Sequence, residues 1–152
     1  MYHHILITTD GSDLAALGLD HGLGLASKLG AKVSVLTLAE PMDPRVLQAA
    51  AVGGVHDAAA RYEETIARDL AERAQAIRAK AAAAGVEIRL ETGTDRAPAE
   101  AIIRFATANG CDLIVMSSHG RRGFRKLILG SQTAEVLAHS TIPVLVIRAA
   151  KA

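Results

Sequence analysis

The stretch "SSHGRRGFRKLILGSQ", Ser117 to Gln132, sets four basic side chains between glycines, directly after the apolar run "DLIVM" and directly before the helix-like "SQTAEVLAH". A glycine-bearing connection from a buried strand into a helix is where α/β proteins hold phosphate, because the first amides of the helix lack intrahelical partners and carry partial positive charge. An isolated basic cluster is also compatible with an ordinary solvated loop. The order of the remaining elements separates the two readings.

Five apolar, strand-like runs recur along the chain: residues 4–9, 32–38, 86–91, 111–117 and 143–148. The segments between them have helical periodicity. Ser12 or Asp13 caps a first helix that Gly30 stops, with Leu14, Leu17, Leu25 and Leu29 expected to face inward. Residues 58–84 form a long Ala-rich helix striped by Ile66, Leu70 and Ile77 and ended by Gly85. Pro98 opens a third helix carrying Ile102, Ile103 and Phe105. The alternation β-α-β-α-β-α-β-α-β predicts an open five-stranded parallel sheet with helices on both faces, in a single domain spanning residues 1–152. Only residues 41–57, with two prolines and the Gly53–Gly54 pair, resist the pattern. They read as a disordered insertion or as a flap over the ligand edge of the sheet.

Composition narrows the function classes. The 152 residues carry 17 Lys and Arg against 16 Asp and Glu, a net charge of +1, so no global field draws the protein to nucleic acid or to an anionic membrane. No apolar run approaches the ~20 residues of a membrane span. The single cysteine, Cys111, starts an apolar run and reads as a buried inert thiol in preference to a reactive one, and a cytoplasmic location is expected. His3 and His4 have no companions at metal-ligand spacing, so they read as satisfied or solvated side chains. "GLGLAS" (22–27) falls inside the first helix and reads as core packing instead of a dinucleotide fingerprint. A nucleic-acid role would need a wider basic face with stacking aromatics, and the chain has two Phe, two Tyr and no Trp.

In open parallel sheets, ligands bind beyond the carboxyl ends of the strands, where the winding reverses. Here those ends are Thr8-Thr9-Asp10-Gly11-Ser12, Leu38-Ala39-Glu40 and Ser117-Ser118-His119-Gly120, with Gly130, Ser131, Gln132 and Thr133 opening the last helix. The glycine spacing Ser117-Ser118-His119-Gly120, nine residues, Gly130-Ser131 resembles the Gly-x-x-Gly-x9-Gly-(Ser/Thr) pattern of the nucleotide-binding branch of the universal stress protein family. "ILITTDGS" and "STIPVLVIR" resemble the two ends of the same family.

The resemblance implies a Rossmann-like, adenine nucleotide α-hydrolase-like fold that binds ATP with Mg²⁺ or Mn²⁺. By it, the base falls near Asp10 and the backbone of Leu38, and the ribose and phosphates along Met116 to Gly120 and Gly130 to Thr133. His119 would make a phosphate contact or a loop hydrogen bond, Gly123 belongs to the same glycine loop, and Arg121 and Arg122 would screen the triphosphate. Ser117 departs from the pattern, which has glycine there; its Cβ would crowd the ribose or its hydroxyl would contact the ligand. No catalytic set is evident. The expected role is a nucleotide-dependent regulator of stress physiology acting through an unidentified protein partner, with a slow ATPase and a nucleotide-free interaction module as alternatives.

The final run, Pro143 to Arg148, is short, apolar and followed by almost no chain, so its outer edge has nothing from the same molecule to cover it. An exposed edge invites pairing with another copy. A homodimer through this strand is therefore expected, as the family resemblance also implies, against the alternative of a monomer whose edge is short and twisted.

Overall fold

A computed structural model of the protein describes residues 1–118 and 129–149. The elements run β1 (His4–Thr8), α1 (Asp13–Leu29), β2 (Lys32–Ala39), α2 (Pro44–Val52), α3 (Ala58–Ala83), β3 (Ile88–Thr94), α4 (Pro98–Ala108), β4 (Leu113–Ser117), α5 (Ser131–His139) and β5 (Val144–Ile147). The strands form one parallel sheet in the order β3-β2-β1-β4-β5. The chain winds outward from β1 through β2 to β3, then restarts on the other side with β4 and β5. The winding thus reverses between β1 and β4.

Period-two alternation divides the sheet's side chains between two layers. Ile5, Ile7, Val33, Val35, Leu113 and Val115 pack with Leu19, Leu23 and Ala26 of α1 and with Ile77 and Ala81 of α3. Leu6, Leu36, Ile114 and Met116 pack on the other face with Ala99, Ile102 and Ala106 of α4 and Val136 of α5. Helices therefore cover both faces, as the strand–helix alternation predicts.

Three local expectations need correction. On α1 the inward face is Ala15, Gly18, Leu19, Gly22, Leu23 and Ala26, while Leu17 and Leu29 are exposed and Leu14 and Leu25 half-buried. The reason is close packing: a Cβ on Gly22 would lie 2.6 Å from Ile7 Cδ1, so α1 makes its closest approach to the strands at a glycine, and Leu19 and Leu23 pack beside that line. β3 begins two residues later than expected and runs to Thr94, because its Thr92-Gly93-Thr94 end pairs with Thr37, Leu38 and Ala39 without an apolar signal. Residues 41–57, finally, contain an additional helix. α2 starts with Asp43 as N-cap, its carboxylate accepting from the Arg45 amide at 2.8 Å, and with Pro44 in the first turn. It buries no residue, and Val46, Leu47, Val52 and Val55 are exposed. The Tyr62 hydroxyl of α3 donates to the Glu40 carbonyl at 2.8 Å, closing the base of this excursion.

The two early histidines are accounted for by hydrogen bonding. His4 places Nε2 2.9 Å from Ser34 Oγ and Nδ1 3.1 Å from the Asn109 carbonyl, and the exposed His3 ring lies 3.3 Å from Asp112. Among the described residues, no group of three or more His, Cys, Asp or Glu could hold a metal ion, and no helix is long and apolar enough to cross a membrane.

Candidate functional site

A cleft of about 600 Å³ opens at the carboxyl ends of the strands. Its floor is Thr8, Thr9 and Asp10 after β1, Leu36, Leu38 and Ala39 of β2, and Met116 and Ser117 of β4; Pro98 and Ile102 of α4 and Tyr62, Ile66 and Arg73 of α3 form walls. Leu129, Gly130, Ser131, Gln132 and Thr133 close the remaining side at the start of α5. The cleft thus lies where the winding reverses.

The β1–α1 turn is shaped by its own side chains. Thr9 is held by its amide, which donates to the Leu36 carbonyl at 3.1 Å, and its hydroxyl accepts from the Gly11 amide at 3.3 Å. Asp10 Oδ1 accepts from the Ser12 amide at 3.0 Å, and the Ser12 hydroxyl accepts from Ala15 at 3.2 Å, which makes Ser12 the N-cap of α1. Gly11, at φ 80°, occupies the left-handed region that a side chain would strain. Asp10 is left half-buried at the mouth of the cleft.

On the other side, the ends of the glycine-bearing stretch meet. The Gly130 amide donates to the Ser118 carbonyl at 2.6 Å, and the Ser118 amide donates to Ile147 of β5 at 2.9 Å. Thr133, buried in the first turn of α5, donates its hydroxyl to the Ser117 carbonyl at 2.9 Å. That hydroxyl proton is committed to the protein, while Ser131 and Gln132 are exposed beside it. Ser117 completes the β4 ladder opposite Ile147, and no non-glycine residue among those described has a positive φ. Serine therefore occupies the first motif position without backbone strain.

Of the fifteen site residues expected from the sequence, Thr8, Thr9, Asp10, Leu38, Met116, Ser117, Gly130, Ser131, Gln132 and Thr133 line this one cleft. His119, Gly120, Arg121, Arg122 and Gly123 lie outside the described residues. The helix walls of the cleft, Tyr62, Ile66 and Arg73 of α3 and Pro98 and Ile102 of α4, with Asp95 before α4, escaped the sequence reading as site residues, and Arg73 is the buried charge among them. Arg73 continues the stripe Ile66, Leu70, Ile77, so a charged residue at a core position of α3 was the available signal. Its side chain is only 7% exposed, it pairs with Asp69 one turn earlier, and its Nη1 lies 3.4 Å from the Leu38 carbonyl.

Comparison with known proteins places the chain. It is 34% identical over 149 residues to a universal stress protein of Thermus aquaticus, and 30% identical over 151 residues to universal stress protein YxiE of Bacillus subtilis; each alignment covers 97% of this chain and all of the relative. The solved structure of MJ0577, a Methanocaldococcus jannaschii universal stress protein, superposes with a TM-score of 0.81 at 24% identity, covering 100% of this chain and 99% of that one. A universal stress protein in complex with cAMP gives 0.65 at 24% identity, covering 97% of each chain, and one from Archaeoglobus fulgidus in complex with dAMP gives 0.59 at 21%, covering 96% and 98%. The model of the universal stress protein family matches residues 1–148, and the chain belongs to that family.

Proposed function

We propose that the chain binds an adenine nucleotide, ATP in preference to AMP, across the strand ends, and that occupancy sets its conformation or its choice of protein partner. The observation that carries this reading is the composition of the cleft: Asp10 and the Leu38 backbone stand at one end, and the N-terminus of α5, with Gly130 and Ser131, stands at the other. The first end offers a carboxylate and peptide groups to a base. The second offers helix amides to phosphate oxygens. Two universal stress proteins of similar fold were solved with cAMP and with dAMP, which supports an adenine ligand here.

Asp10, Glu40 and Asp95 are the carboxylates around the cleft, and among the described residues they form no cluster able to hold a metal by themselves. A Mg²⁺ or Mn²⁺ ion would therefore be held chiefly by the phosphates, with the protein's hydroxyls and carboxylates reached through its remaining ligands. The ion's contribution would be to neutralise phosphate charge. Titration calorimetry with ATP and with AMP, each with and without Mg²⁺ or Mn²⁺, tests the reading. ATP–metal should bind more tightly than AMP, and no heat and no competition from any of these would overturn it.

The same reading includes a homodimer through β5. Among the described residues this strand is an edge of the sheet, paired only with β4, and its Leu145 side chain is 38% exposed. Two such edges related by a two-fold axis would satisfy each other's free amides and carbonyls.

A further inference from the structure

Arg73 is a cation held almost entirely out of water at the base end of the cleft. Its side chain lies beside two backbone segments that have no sequence proximity to α3: Nη1 donates to the Leu38 carbonyl at the end of β2, and Cγ, Cδ and Nε fill the space next to Gly11, where an added Cβ would come within 3.1 Å of all three atoms. Asp69 takes Nη2. The Nε hydrogen is buried and finds no acceptor among the described residues.

Stability alone is a poor account of this arrangement. A buried ion pair returns little over an apolar replacement of similar shape, and a buried donor without an acceptor costs about 1–3 kcal/mol. The position lies in an otherwise apolar stripe, with Leu70 before it and Ile77 after it, so a Met or Leu would fill the helix face without that cost. What the apolar side chain could not do is donate to the Leu38 carbonyl while its stem packs against the Gly11 turn. Leu38 and Asp10 both line the cleft beside Arg73, and Gly11 follows Asp10 directly, so the contacts of this one side chain bear on where both cleft residues stand.

We propose that Arg73 is the positioning residue for base selection: bridging Leu38 and the Gly11 turn, it fixes the slot that receives the base, while the phosphate end at α5 is independent of it. This rests on the adenine-nucleotide reading above. A purely structural role predicts uniform weakening of any ligand. A positioning role predicts weakening confined to the base.

The test compares the wild-type chain with Arg73→Met, which keeps the stem, and Arg73→Lys, which keeps the charge but not the planar fork. For Arg73→Met, ATP affinity should fall by about tenfold and the ATP-to-GTP preference should shrink by about fivefold, while inorganic tripolyphosphate, measured by competition, should change by less than about twofold. Arg73→Lys should fall between the two. Equal losses for ATP and tripolyphosphate, or an unchanged ATP-to-GTP ratio, would overturn the proposal. Amide hydrogen exchange on the ligand-free proteins gives a readout that needs no nucleotide. Exchange at Gly11, Ser12 and Ala39 should quicken in Arg73→Met with the centres of β1 and β4 unchanged, and a uniform rise would equally overturn it. If the wild-type protein binds neither ATP nor GTP, the adenine reading fails, and the exchange pattern alone decides whether Arg73 positions these two segments.

Discussion

Gly18 of α1 lies directly against Ser117 of β4: a Cβ on Gly18 would sit 3.6 Å from the Ser117 amide nitrogen and 3.7 Å from its Cβ. Ser117 thus turns its Cβ toward α1, in line with Leu113 and Val115 on the same face of the strand. The missing glycine of the family pattern consequently leaves its mark on the helix side. Ser117→Gly should lower stability by about 0.5–1 kcal/mol, through the flexibility a strand glycine adds to the unfolded chain. ATP affinity should change by less than about threefold. Thermal unfolding and calorimetry on the same samples check both, and a tenfold loss of affinity would show that the hydroxyl is a ligand contact.

The two buried glycines of α1 should respond in opposite directions to alanine. At Gly18 the added methyl meets its neighbours at ordinary contact distance, so Gly18→Ala should stabilise the fold by up to about 1 kcal/mol through helix propensity. At Gly22 it would meet Ile7 Cδ1 at 2.6 Å and Cγ1 at 2.8 Å, inside a fully buried side chain. Overpacking of that kind costs about 1–3 kcal/mol, which exceeds the helix gain at its upper range. Gly22→Ala should therefore melt lower than wild type. Ile7→Val removes the clashing Cδ1, so the Gly22→Ala/Ile7→Val pair should cost less than the sum of its members in a double-mutant cycle.

Gly130 has φ −56° and ψ 146°, a conformation open to any residue. Glycine is not required there by the backbone, and on the proposed reading it lets a ligand phosphate approach the first turn of α5. Gly130→Val should retain wild-type cooperativity of unfolding and lose ATP binding by at least about tenfold. A folded variant that binds ATP normally would move the phosphates away from this helix.

Burial pushes the Cys111 thiol up to about 11, with Asp112 adding to the effect and Arg89 opposing it. An unfolded cysteine titrates near ~8.5. The native state therefore keeps its proton over a pH range in which the unfolded state loses it, so this group's contribution is fully present below about pH 8.5 and is lost as pH rises toward 11. At pH 8, iodoacetamide should leave Cys111 unmodified in the native protein and label it in denaturant. Rapid native labelling would contradict the burial. Asp112 shifts the other way. Desolvation opposes ionisation, but the His4 and His3 amides and the His3 ring hold its carboxyl below the usual range.

Leu145 is the exposed side chain of β5, whereas Val144 and Val146 pack toward α4 and α5. Leu145→Lys should therefore disrupt an edge-to-edge dimer without disturbing the core. Sedimentation at micromolar concentration should give twice the chain mass for the wild type and a monomer for the variant. A wild-type monomer would refute the dimer outright.

The sheet was legible because its strands are apolar and sequentially separated by helix-length segments, and the end of β3 was not, because Thr92-Gly93-Thr94 pairs through backbone alone. Leucine spacing misplaced the inner face of α1, since its closest approach to the sheet is made at Gly18 and Gly22, which turns Leu19 and Leu23 inward instead of Leu17 and Leu29. The Asp43-Pro44 start of α2 was present as a capping signal, but a helix that buries nothing has no apolar stripe to advertise it. At the cleft, strand-end positions were legible from topology. The contacts of Arg73 were not, because they come from the fold bringing α3 to Leu38 and Gly11.

The Tyr62–Glu40 hydrogen bond makes residues 41–57 an exchangeable cassette. The chain leaves the fold at Glu40 and rejoins it at α3, and the helix between these points contributes nothing to either hydrophobic layer. Lengthening such a segment costs only chain-closure entropy, roughly 0.6 kcal/mol for each doubling. Sequence drift, insertion or a grafted reporter peptide can thus change what the molecule displays beside Glu40 and Tyr62, both of which line the cleft, while the sheet that forms its floor keeps its geometry.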